Sequence, residues 1–308
     1  MTEIHIRERA TLIFRKMQEQ LCTAVEQLEP TARFREDRWD RETAAGTQGG
    51  GGISRVLEGG QIFEKAGMNF SAVHGKLIPE MSKILVGIET ELPFYASGAS
   101  LVFHPLSPHV PAVHANIRYI EAGQKAWVGG GTDLTPSYLV EDDCVHFHQT
   151  LKACCDRFSK DYYARFKKWC DQYFYLPHRG ETRGIGGIFF DYLGREDADN
   201  LISYLDFVAA IPETFENAYF PIVRRRMELP FTKEQKHFQA IRRSRYAEFN
   251  LLYDRGTHFG FKTKGRTESI LMSMPPLASW VYDYQAPPES AEERMIQVLK
   301  APREWVAE

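Results

Sequence analysis

The segment ASGASLVFHPLSPHVPAVHANIRYIEA, residues 96–122, constrains the fold more than any other. Two β-prone runs flank a stiff link, 105–111, that holds Pro105, Pro108 and Pro111, as suits a hairpin. Successive side chains of a strand point to opposite faces. Ser100, Val102 and His104 therefore share one face, with Leu101 and Phe103 behind. In the second run His114, Asn116 and Arg118 share a face against Val113, Ala115, Ile117 and Tyr119. Symmetry about His109 sets His104 opposite His114 and Ser100 opposite Arg118. One face then presents Ser, His, His, Asn and Arg over an apolar reverse face. That pattern suits the wet side of an antiparallel sheet, and equally a site built on rigid elements.

Around the hairpin, Ile6, Ala10, Ile13, Met17, Leu21, Ala24 and Leu28 recur at helical spacing, and Pro30 ends the run. A polar alternating stretch covers 34–40. The glycine-rich segment 46–60 lacks the G-K-[ST] ending and the G-x-G-x-x-G register of phosphate loops. It reads as a flexible or tightly turning loop and a candidate lid. Strands are expected at 100–104, 113–120, 125–128 and 188–193. A long helical region is expected over 141–174, and helices at 199–210, 213–227 and 233–244, with Pro221 kinking or interrupting the second. Residues 247–254, 259–262 and 268–274 read as antiparallel strands. Ser290 and Glu293 form a capping box for a last helix. Strands and helices do not alternate regularly, so the expected class is α+β: a broad antiparallel sheet flanked by helices on both faces. No linker divides the chain, which predicts a single domain over 1–308.

Charge narrows the function. The 38 Lys+Arg and 41 Asp+Glu leave a net −3, which argues against a nucleic-acid binder with a broad basic surface. With 43% apolar and 13% aromatic residues, the chain is not an acidic disordered one. The five cysteines, Cys22, Cys144, Cys154, Cys155 and Cys170, are odd in number and contain no C-x-x-C, so free thiols in a reducing compartment are expected. The first residues lack the apolar block of a signal peptide, and no apolar run is long enough to span a membrane. The expected location is cytoplasmic.

His104, His114, His148 and His178 could in principle bind a divalent metal, although no H-x-x-x-H or H-E-x-x-H spacing occurs. Acid/base or hydrogen-bonding roles are the alternative. His146 and His148 are two apart on a helix and point in different directions. Further on, Glu248, Asn250, Leu252 and Asp254 would share a strand face. Lys262, Lys264 and Arg266 cluster near a glycine turn. They are either solvated charges or, for Arg266, a reader of an anionic group through its bidentate fork.

With these residues in view, the chain resembles the oxygen-dependent coproporphyrinogen-III oxidases. The matching blocks include GGGGISRVLEGGQIFEKAGMNFSAVHG, FHPLSPHVPAVHANIRYIEA, WVGGGTDLTPSYL, HFHQTLKACCD, KKWCDQYFYLPHRGETRGIGGIFFDYL and RYAEFNLLYDRGTHFGFKTKGRTESILMSMPPLASWVYDY. They span roughly residues 45–285. The resemblance implies oxidative decarboxylation of two propionates of coproporphyrinogen III to vinyl groups, giving protoporphyrinogen IX in haem biosynthesis. It implies dioxygen as co-substrate and no organic cofactor, with a divalent metal as an open question, and a homodimer with residues 246–281 at the interface. His114 matches the family's proton donor. Ser100, Asn116, Ile117, Arg118, Gly265 and Arg266 match substrate-contacting positions, with Lys264 where the family has a glycine. Asp254 and Arg255 match a D-R-G-T cleft motif. His104, His114, His148 and His178 match its possible metal ligands. On this reading Arg118 and Arg266 take substrate carboxylates, Asp254 faces the pyrrole N–H groups, and His114 moves a proton. A non-catalytic tetrapyrrole carrier and a metal-dependent hydrolase are the competing functions.

Overall fold

A computed structural model describes residues 3–42, 46, 48–262 and 265–306. Helix α1 (Glu3–Leu28) precedes strands β1 (Arg35–Glu42), β2 (Gln48–Glu58) and β3 (Phe63–Leu77). Helix α2 (Pro79–Val86) leads to β4 (Leu92–Pro105), β5 (Ala112–Ala122) and β6 (Lys125–Thr135). Helices α3 (Glu141–Asp156) and α4 (Tyr162–Tyr173), a short β7–β8 ribbon (Tyr175–Leu176 and Glu181–Thr182) and β9 (Gly187–Leu193) follow. The chain continues through α5 (Leu201–Arg226), α6 (Lys233–Leu252), α7 (Arg255–Lys262), α8 (Thr267–Leu271) and α9 (Ala291–Lys300). The main sheet is antiparallel throughout, in the order β1-β2-β3-β4-β5-β6-β9. The α+β class with a broad antiparallel sheet is therefore observed.

The apolar periodicity of α1 works as the sequence requires. Ala10, Phe14, Met17, Leu21 and Val25 are fully buried in one core with Leu101, Phe103, Val113, Ala115 and Ile117 from the reverse face of the hairpin. Helices α3 and α5 complete this layer. The sheet's edges are protected differently. Edge strand β1, REDRWDRE, is almost wholly charged, which disfavours edge-to-edge pairing. At the other edge α4 reaches both faces of β9: Phe166 meets Phe190, while Trp169 and Tyr173 meet Phe189.

Several expectations fail for identifiable reasons. Most of the glycine-rich segment 46–60, residues 48–58, is strand β2, not a loop or lid; Gly59 and Gly60 do lie in the following turn, and residue 47 lies outside the described residues. Gly52 sits where a Cβ would lie 2.3 Å from the Trp39 ring and 2.5 Å from the Phe70 carbonyl, so glycine here permits close packing. The region 141–174 is two helices, and the stretch 199–227 is largely one, α5. Pro221 inside α5 cannot donate to the Asn217 carbonyl one turn earlier; His146 Nε2 donates to it instead at 3.0 Å. Residues 247–254, 259–262 and 268–274 are mainly helical, not strands. Buried Phe238, Arg242, Tyr246 and Phe249 continue at spacings of three and four along α6, behind a Thr232–Gln235 capping box. The last helix is capped by Ser290, whose Oγ accepts from the Glu293 amide at 3.1 Å, but the expected box does not close, because Glu293 Oε2 accepts the Glu289 amide at 2.7 Å instead.

One carboxylate ties α1 to the β2–β3 turn. Glu29 is 1% exposed and accepts the amides of Gln61, Ile62 and Phe63 at 2.9, 2.8 and 3.1 Å. Burial raises its pKa, but those amides and that of Thr31 outweigh it, so the net shift is downward. Stability linked to a depressed carboxylate is present above the unfolded pKa of about 4.3. It is lost as pH falls through the folded value. Glu29→Gln should cost about 1–3 kcal/mol at pH 7, read from urea midpoints. The difference from wild type should shrink at acid pH.

Candidate functional site

The face opposite the main core forms the floor of a cleft of about 2070 Å³. Its floor follows from the strand register. Gly52, Ser71, Gly98 and Arg118 are successive neighbours across β2 to β5. One step along, Ser54, Asn69, Ser100, Asn116 and Gly131 form a second row. Small and polar side chains over four strands, at about 4.8 Å each, make a low platform roughly 14 Å wide. Trp39 stands at its β1 side, Nε1 donating to Ser54 Oγ at 3.2 Å. Helix α8 closes over part of it: Ser269 Oγ meets Ser54 Oγ at 2.7 Å, and Asn69 Nδ2 donates to the Ser269 carbonyl at 2.6 Å.

The chemistry gathers at the β5–β6 end. His114 Nδ1 donates to Asp133 Oδ1 at 2.9 Å, and the two are paired strand neighbours. That bond leaves Nε2 as the nitrogen free to act in the cleft, which His114 lines. Asp133 is 1% exposed and bonds both oxygens to Arg183 Nη2, at 2.7 and 2.9 Å. Burial raises the Asp133 pKa, but Arg183 and His114 outweigh it and hold it low. Arg183 also donates to Asn250 Oδ1 at 2.6 Å. The rings of Phe174, Tyr246 and Phe249 surround its guanidinium at 4.1, 4.5 and 4.8 Å.

Asp254 lies at the start of α7 and lines the cleft. Its Oδ1 accepts the Tyr173 hydroxyl at 2.7 Å, and Oδ2 accepts the Thr257 amide at 2.7 Å. It is thus a helix N-cap as well as a site carboxylate. Burial raises its pKa, while the Tyr173 and Thr257 bonds and the His114 charge bring the net shift down. An ionised acceptor is held within electrostatic reach of His114.

Ser100, His114, Asn116, Asp254, Gly265 and Arg266 all line this one cleft. The hairpin register differs by two residues from the expectation. Ser100 faces Asn116, and His114 faces Val102. A two-residue slip preserves the faces, so the polar set survives. Arg118 is held by Asp191 Oδ2 at 2.6 Å and donates to Asn116 Oδ1 at 3.1 Å. It therefore orients Asn116, whose amide nitrogen is left for a ligand. Ile117 is fully buried in the opposite core, so its side chain does not bind substrate. Arg255 is exposed and stacks over Tyr173 at 4.9 Å, outside the lining. Arg266 pairs with Asp37 at 2.5 Å. Lys264 lies outside the described residues.

The four histidines do not form one metal centre. His148 is buried in the other layer; its Nε2 donates to the Ile185 carbonyl at 3.0 Å, and its Nδ1 takes the Tyr163 hydroxyl at 2.9 Å. His178 is committed through both nitrogens, to Glu248 at 2.8 Å and Tyr253 at 2.8 Å. His104 is buried, donates from Nε2 to the Ser273 carbonyl at 2.9 Å and is pushed down to about 3 by burial and then the Arg243 charge. Among the described residues no three His, Cys, Asp or Glu side chains are grouped to hold an ion. This donor set does not fit a shared metal.

Sequence reasoning missed Asp133, Arg183 and Asp191. A signal existed for Asp133: it is a lone acid inside WVGGGTDL, an otherwise apolar and glycine-rich strand.

Residues 9–305 match the family model described as coproporphyrinogen III oxidase. Two curated relatives are each 45% identical over 98% of this chain and 80% of their own length. One is the "Oxygen-dependent coproporphyrinogen-III oxidase, chloroplastic" of Glycine max. The other is the "Coproporphyrinogen-III oxidase 1, chloroplastic" of Arabidopsis thaliana. The chain belongs to the coproporphyrinogen III oxidase family.

Removing one partner of a buried ion pair leaves the other charge uncompensated. Arg183→Ala should therefore lower stability by about 3–5 kcal/mol, seen as a fall in denaturant midpoint. It should also release the His114 ring, seen as a shifted imidazole NMR signal.

Proposed function

We propose that this chain oxidises coproporphyrinogen III with dioxygen, converting two propionates to vinyl groups and yielding protoporphyrinogen IX. The observation that carries this is 45% identity over 98% of the chain to an enzyme named for oxygen-dependent coproporphyrinogen-III oxidation. The cleft supports it, because a low platform under 2070 Å³ of space suits a broad, reduced macrocycle. Each step breaks the bond to the carboxyl carbon and releases carbon dioxide. Two electrons and two protons, from the carboxyl group and the β-carbon, convert dioxygen to hydrogen peroxide. Electrons pass directly from the electron-rich ring to oxygen, with no organic cofactor.

The residues have distinct tasks in this reading. Asp254, acceptor-only when ionised, takes pyrrole N–H donors and favours a cationic ring as electrons leave. His114, fixed by Asp133, moves a proton at Nε2. Asn116 and Ser100 donate to a substrate carboxylate, and Arg266 reaches another from the cleft wall. These charge-assisted bonds contribute about 1.5–3 kcal/mol each.

The single-domain reading over 1–308 is supported by a family match running across residues 9–305. The homodimer is supported by exposed Leu251, Leu252, Leu277, Trp280, Val281 and Tyr282, which all fall in or beside 246–281 and exceed what single surface apolar residues explain. Among the described residues no helix is long and apolar enough to cross a membrane. A cytoplasmic setting is supported by five free buried thiols.

Aerobic incubation with coproporphyrinogen III should give protoporphyrin fluorescence after oxidation; no such product would sink the function. Asp254→Asn keeps a good helix cap but removes the charge. Turnover should fall about 10²–10⁴-fold with KM nearly unchanged, and near-wild-type turnover would remove its role. Leu252→Glu combined with Leu277→Glu should give a monomer in sedimentation velocity, where wild type sediments as a dimer.

A further inference from the structure

We propose that Arg41 heads a second carboxylate-binding subsite, at the outer end of the cleft, where a tetrapyrrole propionate docks away from the reaction centre. This rests on the function above and extends it. The regular pairing of β1 with β2 shifts between Asp40 and Glu42, and around this irregularity Trp39, Asp40, Arg41 and Glu42 all line the cleft. Asp37 pairs with Arg266 and Trp39 packs over Gly52; Arg266, Trp39 and Arg41 themselves line the cleft. Besides Arg118, which Asp191 holds at the floor, four arginines among the described residues line the cleft. Three have acid partners: Arg7 with Glu121, Arg183 with Asp133 and Arg266 with Asp37.

Arg41 has none. Its guanidinium lies 5.5 Å over the Phe94 ring and gives one long bond, 3.3 Å, to the His74 carbonyl. Burial depresses its pKa with no compensating acid, yet an arginine remains charged. A half-desolvated guanidinium with most donors unused is matched by a planar anion such as carboxylate. Of the acids at this end, Glu121 is engaged by Arg7 and Glu91 by Lys76; Asp40 and Glu42 flank Arg41 in the chain and also line the cleft, but burial alone shifts the Arg41 pKa.

The surroundings fit the rest of a tetrapyrrole. Phe94 packs with buried Leu77 and Met81, and Ile78 beside them is 56% exposed, so an apolar shelf adjoins the cation. This end is distant from the chemistry. Phe94 is eight residues along β4 from Val102, the neighbour of His114, which is roughly 27 Å at about 3.4 Å per residue. The cleft exceeds the roughly 300–1,000 Å³ of ordinary ligand pockets, which leaves room for a ligand at each end.

The test is fluorescence titration with coproporphyrin III, the oxidised and unreactive tetracarboxylate, alongside steady-state kinetics. Wild type should show two classes of site, the weaker one lost as salt rises. Arg41→Gln should abolish the weaker class and raise KM about three- to tenfold with kcat within about twofold; Arg41→Lys should recover part of the loss. One class of site in active wild type overturns the subsite. Two classes kept in Arg41→Gln with unchanged KM, or a parallel loss of kcat, overturns the role of Arg41. If Arg41→Gln does not fold, the salt titration of wild type and the Arg41→Lys kinetics decide. Wild type that neither binds porphyrin nor turns over substrate overturns the functional reading itself.

Discussion

A buried guanidinium organises the cleft. Arg183 follows the short β8 strand, and its charge cannot be neutralised by losing a proton. It therefore has to be met inside the protein, and each group that meets it comes from a different element. Asp133 comes from β6, Asn250 from α6, and the rings from the end of α4 and from α6. Satisfying one charge thus fixes three elements against each other. It also fixes a fourth group indirectly, because the Asp133 oxygen that takes Arg183 also takes His114. A buried pair is weak evidence for stability. Its value here is positional: the histidine that faces the cleft inherits its tautomer from an arginine it never touches.

What the sequence revealed follows from the same physics. Strand alternation is a local property, so the two faces of the β4–β5 hairpin were legible. The register depends on how the seven-residue link folds, and the symmetric guess was off by two. The glycine-rich stretch misled because propensity favours a loop, whereas pairing with β1 and β3 imposes a strand. Residues 247–254 misled for the opposite reason. Alternating polar and apolar residues over so short a window fit a strand, but Phe238, Arg242, Tyr246 and Phe249 show the helical period once the run from Thr232 is followed. The histidines were visible as residues but not as partners. Nothing in spacing told that His146 and His148 would each spend a nitrogen on a backbone carbonyl, one of them orphaned by a proline.

The floor and the lid of the cleft solve separate problems. Main-chain hydrogen bonds hold the floor rigid, and its small side chains leave a macrocycle room to lie on it. Helices α7 and α8 supply what a sheet alone cannot: an acid, Asp254, above the plane, and an arginine on a short loop. The exposed apolar residues on and beside these helices show that the lid is covered only on its inner side. In the dimer reading the partner braces the lid from outside, so assembly and catalysis share one set of helices.

Net charge also takes on a local meaning. The total of −3 excludes a broad basic surface, yet the proposed substrate carries four carboxylates. Most guanidinium groups near the platform are already paired, which holds their geometry but lowers the net positive field. Such a site recognises carboxylates by fitted donors more than by bulk attraction. The reaction then weakens its own grip. Each decarboxylation removes one carboxylate and leaves an apolar vinyl group, so the charge-assisted bonds available to the ligand fall from one stage to the next. A tetracarboxylate is held best, a tricarboxylate next and the dicarboxylate product least. Retention through the second step and release after it then follow from the count of anions, without any separate discharge device.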